Sequence, residues 1–257
     1  DSFGGVPYEN EIKFQARIGE RLKHRKRAIT AWDFERLILD NYSHIEKAVC
    51  LPNMTGTSLH APGNVLIVVS PYASSVLNSK EPKVSSEMLV DIKSFVQNHA
   101  TPFVKVEVRN PSYERIRIIC SVKFAGSHNQ GFYIQKLNED INEYLKGNIG
   151  NMALGHQMDK VIYCSDVITY LRTLSYVEYI TRFSMVQAAR NITGNYVLID
   201  TASEGGEKAG LKATKPWSVL IPADQHQFNI LSSKTDEESL QAGIDYLELG
   251  NDFIINR

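Results

Sequence analysis

Residues 102–124, PFVKVEVRNPSYERIRIICSVKF, alternate apolar and polar side chains on both sides of a short turn. Valines occupy every second position over 104–108, and the same period of two returns over 116–124. This period is typical of strands that bury one face. Asn-Pro-Ser at 110–112 is typical of a turn. The pattern predicts two strands joined as a hairpin.

Amphipathic helices and further strands surround this stretch. The continuous apolar run 65–69, which is largely β-branched, predicts a buried strand, and 177–186 predicts another. Helical spacing of apolar residues predicts a helix capped by Ser85 or Ser86 and another over about 131–146. A third, short helix is expected after a cap at Ser165. The order strand, helix, hairpin, helix, helix, strand predicts an α+β sandwich of split-βαβ character over 61–190.

Residues 1–60 predict a helical hairpin followed by a strand. Phe14, Ile18 and Leu22 recur every fourth residue in a first helix from Glu11 to about residue 27. A second helix is expected to about residue 41, with Thr30 and Asp33 as its capping box. Residues 45–51 then predict a strand.

The segment 191–257 has a different character. It is rich in glycine and carries short strand candidates at 196–199, 219–221, 228–231 and 252–255. Short strands separated by turns predict a small β-rich C-terminal appendage.

Composition excludes several classes of protein. The chain has 257 residues, of which 22% are charged, and a formal net charge of −1. This is typical of a globular protein, and gives no overall field favouring nucleic acid or an anionic membrane. Its apolar runs are too short to span a bilayer. Its three cysteines are widely spaced and are expected to be buried and reduced.

No pattern of residues predicts catalysis. The histidines are scattered, and none forms an i, i+4 pair typical of a helical metal site. His156 with Asp159, and Asp224 with His226, are interpreted as surface polar residues. No nucleophile elbow or phosphate-binding loop is present. We therefore expect no enzymatic activity, no metal and no cofactor.

The run RLKHRKR at 21–27 is the one concentrated charge cluster. It has three interpretations: a nucleic-acid or phosphate site, a solvated helix end whose cations complement the helix dipole, or a polar protein interface. Because no aromatic residue lies among the basic ones, stacking on single-stranded bases is unsupported.

Residues 20–37, ERLKHRKRAITAWDFERL, resemble a segment of the baseplate J family of contractile injection systems. The similarity extends over about 8–187, through APGNV at 61–65, VRNPSYE at 108–114 and YVEYI at 176–180. Where many relatives carry Pro-Gly before the last strand, this chain has Ser175-Tyr176.

The resemblance implies a non-catalytic wedge subunit that assembles around the tail tube through protein–protein interfaces. Its implied partners are other baseplate subunits and a second wedge protein, in a homo- or hetero-oligomer, with no small-molecule substrate and no membrane insertion. The implied location is the cytoplasm, within a tail-like particle. Because family members are usually longer, the chain is expected to be the C-terminal part of a larger polypeptide.

These inferences place an interface on the helical hairpin. Apolar and basic side chains from both helices are expected to contact a neighbouring subunit, and nucleic-acid binding through 21–27 is the alternative. The candidate interface residues are Phe14, Ile18, Arg21, Arg25, Arg27, Trp32 and Phe34.

Overall fold

The computed structural model describes residues 10–72, 81–125, 129–150, 161–203 and 209–231. Its helices and mixed sheets confirm the α+β class. The chain groups into two compact units, Asp1–Pro111 and Ser112–Arg257. The expected division into 1–60, 61–190 and 191–257 stays a prediction.

The first unit is a three-stranded sheet with helices. Strands β1 and β2 are antiparallel, β2 and β3 are parallel, and β2–α3–β3 is a βαβ crossover. Strand β2 is buried along most of its length, because its apolar run packs into the core with α2 and α3. The elements are α1 Glu11–His24, α2 Ala31–Asn41, β1 Ile45–Pro52, β2 Asn64–Pro71, α3 Ser86–His99 and β3 Lys105–Arg109.

The second unit has a larger mixed sheet. Strands run in the order β10-β4-β6-β7, and β9 also pairs with β4. Its apolar core lies between the inward face of β4 and the helices α4 and α5. The elements are β4 Ser112–Phe124, α4 Gln130–Gly150, β5 Ile162–Tyr163, α5 Cys164–Thr173, β6 Val177–Arg190, β7 Tyr196–Asp200, β8 Gly210–Leu211, β9 Ser218–Pro222 and β10 Gln227–Ile230.

The expected hairpin over 102–124 is wrong, although both of its strands exist. β3 pairs with β2, whereas β4 pairs with β6, β9 and β10. The side chain of Asn110 accepts a hydrogen bond from the Val84 N–H (2.8 Å) and donates one to the Val84 carbonyl (2.9 Å). These bonds hold the end of β3 to the segment before α3. Alternation identified the strands, but it carried no information about their partners.

The C-terminal strands are part of the main sheet rather than an appendage to it. β9 and β10 both lie parallel to β4, one after the other along its length. At the interruption between them, the Ile118 N–H donates to Nδ1 of His226 (3.1 Å) in place of a strand carbonyl. The strands expected near 196–199, 219–221 and 228–231 are confirmed. The candidate at 252–255 lies outside the described residues.

Two local expectations have different outcomes. Ser165 does not cap α5: the helix starts at Cys164, and the N-cap position is Tyr163, which makes no side-chain capping bond. The Cys164 N–H donates instead to the carbonyl of Ala209 (3.0 Å). The cysteines are buried and free, as expected.

Candidate assembly interface

The first helix ends earlier than its composition suggests. Arg25 and Lys26 both have positive φ values, 47° and 57°, and the helix stops at His24 instead of continuing to residue 27. The imidazole Nδ1 of buried His24 accepts from the Lys26 N–H (3.0 Å), and the His24 carbonyl accepts from the Arg27 N–H (2.8 Å). His24 therefore satisfies two backbone donors of the turn that follows the helix.

The second helix begins almost at once, with the capping box that the sequence predicts. Oδ2 of Asp33 accepts from the N–H groups of Ile29 (3.3 Å) and Thr30 (2.8 Å). The Asp33 N–H donates to the Thr30 hydroxyl (3.3 Å). Between the helices, the Ala28 N–H donates to the carbonyl of His99 at the end of α3 (2.9 Å). The turn is thereby bonded to α2 on one side and to α3 on the other.

Polar contacts hold α1 against α2. Arg21 pairs with Asp40 (3.3 Å), and Glu20 pairs with Arg36 (3.4 Å). A cation–π contact places Nζ of Lys23 4.2 Å from the ring centroid of Trp32. Each such surface contact stabilises by only about 0–1 kcal/mol, so together they fix the position of α1 more than they stabilise the unit.

The apolar stripe of α1 faces solvent. Phe14, Ile18 and Leu22 are 47%, 41% and 70% exposed. They follow one another at i, i+4 spacing on a single face of the helix. An exposed apolar row beside a cationic turn is typical of a protein interaction site.

The structure separates the predicted interface residues into three groups: exposed residues, residues engaged with neighbouring side chains, and one buried residue. Phe14 and Ile18, with Arg25 and Arg27, are exposed. Arg21 pairs with Asp40, and Trp32 is half-buried between Lys23 and Arg36.

The structure corrects the prediction that Phe34 lies at the interface. It is 3% exposed and packs in the core of the first unit with Leu37 and Ile38, so it cannot reach a partner in this conformation. Its position in α2 places it on the face that packs toward the sheet, away from the Trp32 face. The predicted site therefore loses Phe34.

Three exposed apolar residues of the first unit were not among the predicted interface residues. Leu22 belongs to the same stripe as Phe14 and Ile18, and helical spacing identifies it. Ile29 in the turn is 66% exposed, and Phe103 in the turn before β3 is 91% exposed. No periodicity marks the last two, because each stands alone in a turn.

His226 was interpreted as a surface residue, and the structure corrects this. Its ring is largely buried, and burial together with the nearby Arg117 lowers its pKa to about 3. A neutral ring whose Nδ1 already accepts the Ile118 N–H serves the sheet rather than a metal ion. His156 and Asp159 lie outside the described residues.

Burial also affects the thiols of two cysteines. Burial raises the pKa of the Cys50 and Cys120 thiols to about 12, which keeps them protonated at neutral pH. Within the described ranges, no three His, Cys, Asp or Glu side chains come together as a metal-binding group. Among the helices described, none is long and apolar enough to cross a membrane.

Comparison with solved structures gives the class of this fold. The chain is similar to a component of the anti-feeding prophage baseplate, solved by electron cryo-microscopy with six-fold symmetrisation, at a TM-score of 0.55 and 17% identity. The match covers 85% of this chain and 43% of that one, so the chain spans less than half the length of this relative. It has the fold of a baseplate component.

The family follows from a separate comparison. The family model described as baseplate protein PVC11-like matches residues 1–211. The chain belongs to the PVC11-like family of baseplate proteins. A sequence search of curated proteins finds no match.

Proposed function

We propose that this chain is a structural wedge component of the baseplate of a contractile injection system. In this role it assembles around the tail tube through protein–protein interfaces and performs no chemical step. Its partners are other baseplate subunits, including a second wedge protein, within a tail-like particle assembled in the cytoplasm. Membership of the PVC11-like baseplate family and the baseplate fold support the proposal.

The exposed stripe Phe14, Ile18 and Leu22 is the observation that carries the proposal. The helix is held by ion pairs and its apolar row is exposed, so packing against the rest of its own unit stabilises it little. Covering that row on a neighbouring subunit would contribute on the order of 1–2 kcal/mol per side chain. The polar contacts to α2 present the row in a fixed position, which reduces the entropy lost on binding.

Particle assembly tests this role. The variant Phe14→Ser/Ile18→Ser is co-expressed with the remaining subunits of its particle, and incorporation is measured by quantitative mass spectrometry of purified baseplates. Loss of incorporation, with an unchanged thermal unfolding midpoint for the isolated chain, is the expected result. Val90→Ser is the matched control, because Val90 is an exposed apolar residue (67%) on a different helix. Normal incorporation of the α1 variant would refute the proposed interface.

Nucleic-acid binding through 21–27 is the second candidate. Arg25, Lys26 and Arg27 are exposed and favour it, whereas Arg21 and Lys23 are engaged with α2. Duplex DNA binding that weakens steeply with salt and is lost on neutralising Arg25, Lys26 and Arg27 would support this alternative. Absence of such binding, together with co-purification of baseplate subunits, supports assembly.

A further inference from the structure

The last residues of α1 and the turn that follows them, residues 22–29, form a cationic surface with apolar side chains at both ends. We call it the basic turn. Arg25, Lys26 and Arg27 are exposed, and among the described residues no carboxylate forms an ion pair with any of them. Leu22 and Ile29 flank them, and both are about two-thirds exposed.

The acidic groups nearest in the chain are already engaged. Asp33 accepts the backbone N–H groups at the start of α2, and Asp40 pairs with Arg21. Glu20 pairs with Arg36. Among the described residues, therefore, nothing neutralises the charge of the basic turn, and its complement is an anionic partner.

The basic turn is also held in a strained backbone conformation. A non-glycine residue with positive φ is unfavourable, and Arg25 and Lys26 are two in succession. The hydrogen bonds of His24 and the bond from Ala28 to His99 maintain it. Backbone strain of this kind is concentrated at binding sites, where it presets the geometry of the contact.

The sequence contains a segment with complementary chemistry. Residues 235–249, TDEESLQAGIDYLEL, carry five carboxylates and no lysine or arginine. Apolar side chains at Leu240, Ile244 and Leu247 accompany the acidic ones. We call this segment the acidic stretch. It offers negative charge to the cations of the basic turn and apolar anchors to Leu22 and Ile29.

We propose that the basic turn of one copy of this chain binds the acidic stretch of a second copy. The proposal rests on the assembly role proposed above, because it names the partner for the same end of α1. A contact between two different surfaces is heterologous, and such contacts build rings or open chains of copies. Because its charges are exposed, the contact weakens as salt rises.

A charge swap in the full chain tests the proposal. One variant is Arg25→Glu/Arg27→Glu, and the other is Glu237→Lys/Glu238→Lys. Sedimentation velocity over a concentration series measures self-association of each. The wild type is expected to self-associate, and each variant alone is expected to lose about tenfold or more in affinity. An equimolar mixture of the two variants is expected to recover association, because the reversed turn of one meets the reversed stretch of the other.

Lys93→Glu/Lys146→Glu is the control, since both lysines are exposed on other helices and the change in charge is the same. It is expected to associate like the wild type. A wild type that stays monomeric at all concentrations, or a mixture that shows no recovery, would overturn the proposal. So would duplex DNA binding to the basic turn without any self-association. If the wild type is monomeric and still enters baseplates, this inference fails while the assembly role stands.

Discussion

The adjacent helices α1 and α2 have the same kind of apolar pattern and opposite environments. In α1, Phe14, Ile18 and Leu22 are exposed, whereas in α2, Phe34, Leu37 and Ile38 are buried. α2 packs against β1 and α3 within the core of the first unit. α1 contacts α2 through charged and cation–π pairs. An apolar face on a helix therefore predicts that the face is buried against something. It does not indicate whether the packing partner belongs to the same unit or to another subunit.

The largest expected effect is on the buried helix. Leu37→Ala removes a side chain that is 2% exposed, and should lower the free energy of unfolding by about 2–5 kcal/mol through lost burial and the cavity left behind. Denaturant-induced unfolding measures it. The comparison breaks down if this substitution costs no more than the matched Leu22→Ala change in α1.

The next largest effect is a loss of folding stability at acid pH, and it arises in the second unit. The pKa of His226 is about 3 in the folded chain, against about 6.5 when unfolded. Below pH 6.5 the unfolded chain binds a proton that the folded chain does not, so stability falls as pH falls toward 3. Between pH 6.5 and 5 the expected loss is about 2 kcal/mol.

Unfolding titrations at several pH values check this expectation. His226→Asn is the control, because its amide oxygen can accept the Ile118 N–H without titrating. If the variant shows the same dependence over this pH range, another group is responsible. The α1 and α2 variants are best compared above pH 7, where His226 contributes no slope.

The capping box predicts a smaller loss. Asp33→Ala leaves the N–H groups of Ile29 and Thr30 without their acceptor, at a cost of about 1–2 kcal/mol. Glu20→Ala, which breaks an exposed ion pair between the helices, should cost less than about 1 kcal/mol. Thermal unfolding of both variants measures the difference. Equal losses would mean that the ion pairs stabilise the junction of α1 and α2 as strongly as the capping box does.

The smallest effect is expected on the exposed stripe. Leu22→Ser should change the free energy of unfolding by no more than about 0.5 kcal/mol, since the side chain is 70% exposed. Denaturant-induced unfolding of the isolated chain is the measurement. A loss comparable with that of Leu37→Ala would mean that Leu22 is covered within the folded chain.

Local features were the ones that the sequence could predict. The Thr30 and Asp33 capping box, the apolar run that becomes β2 and the alternation of β4 each depend on residues close together in the chain. The α+β class follows from their order. These signals need no knowledge of distant partners.

Pairing and burial depended on contacts that no local pattern records. The bonds between Asn110 and Val84 end β3 in one unit, while β4 takes its partners from residues far along the chain. Phe34 looked like an interface residue because its apolar character is the same in a core as at a contact. The early end of α1 follows from the positive φ of Arg25 and Lys26, which helix propensity does not indicate.

Hydrogen exchange of the chain, free and within assembled baseplates, tests the central claim most directly: α1 is an assembly surface on a unit already folded without it. The expected result is that amides of α1 exchange faster than those of β2 in the free chain and become more protected on assembly. Amides of β2 and β4 should be equally protected in both states. Unchanged exchange of α1 on assembly, or strong protection in the free chain, would contradict the claim.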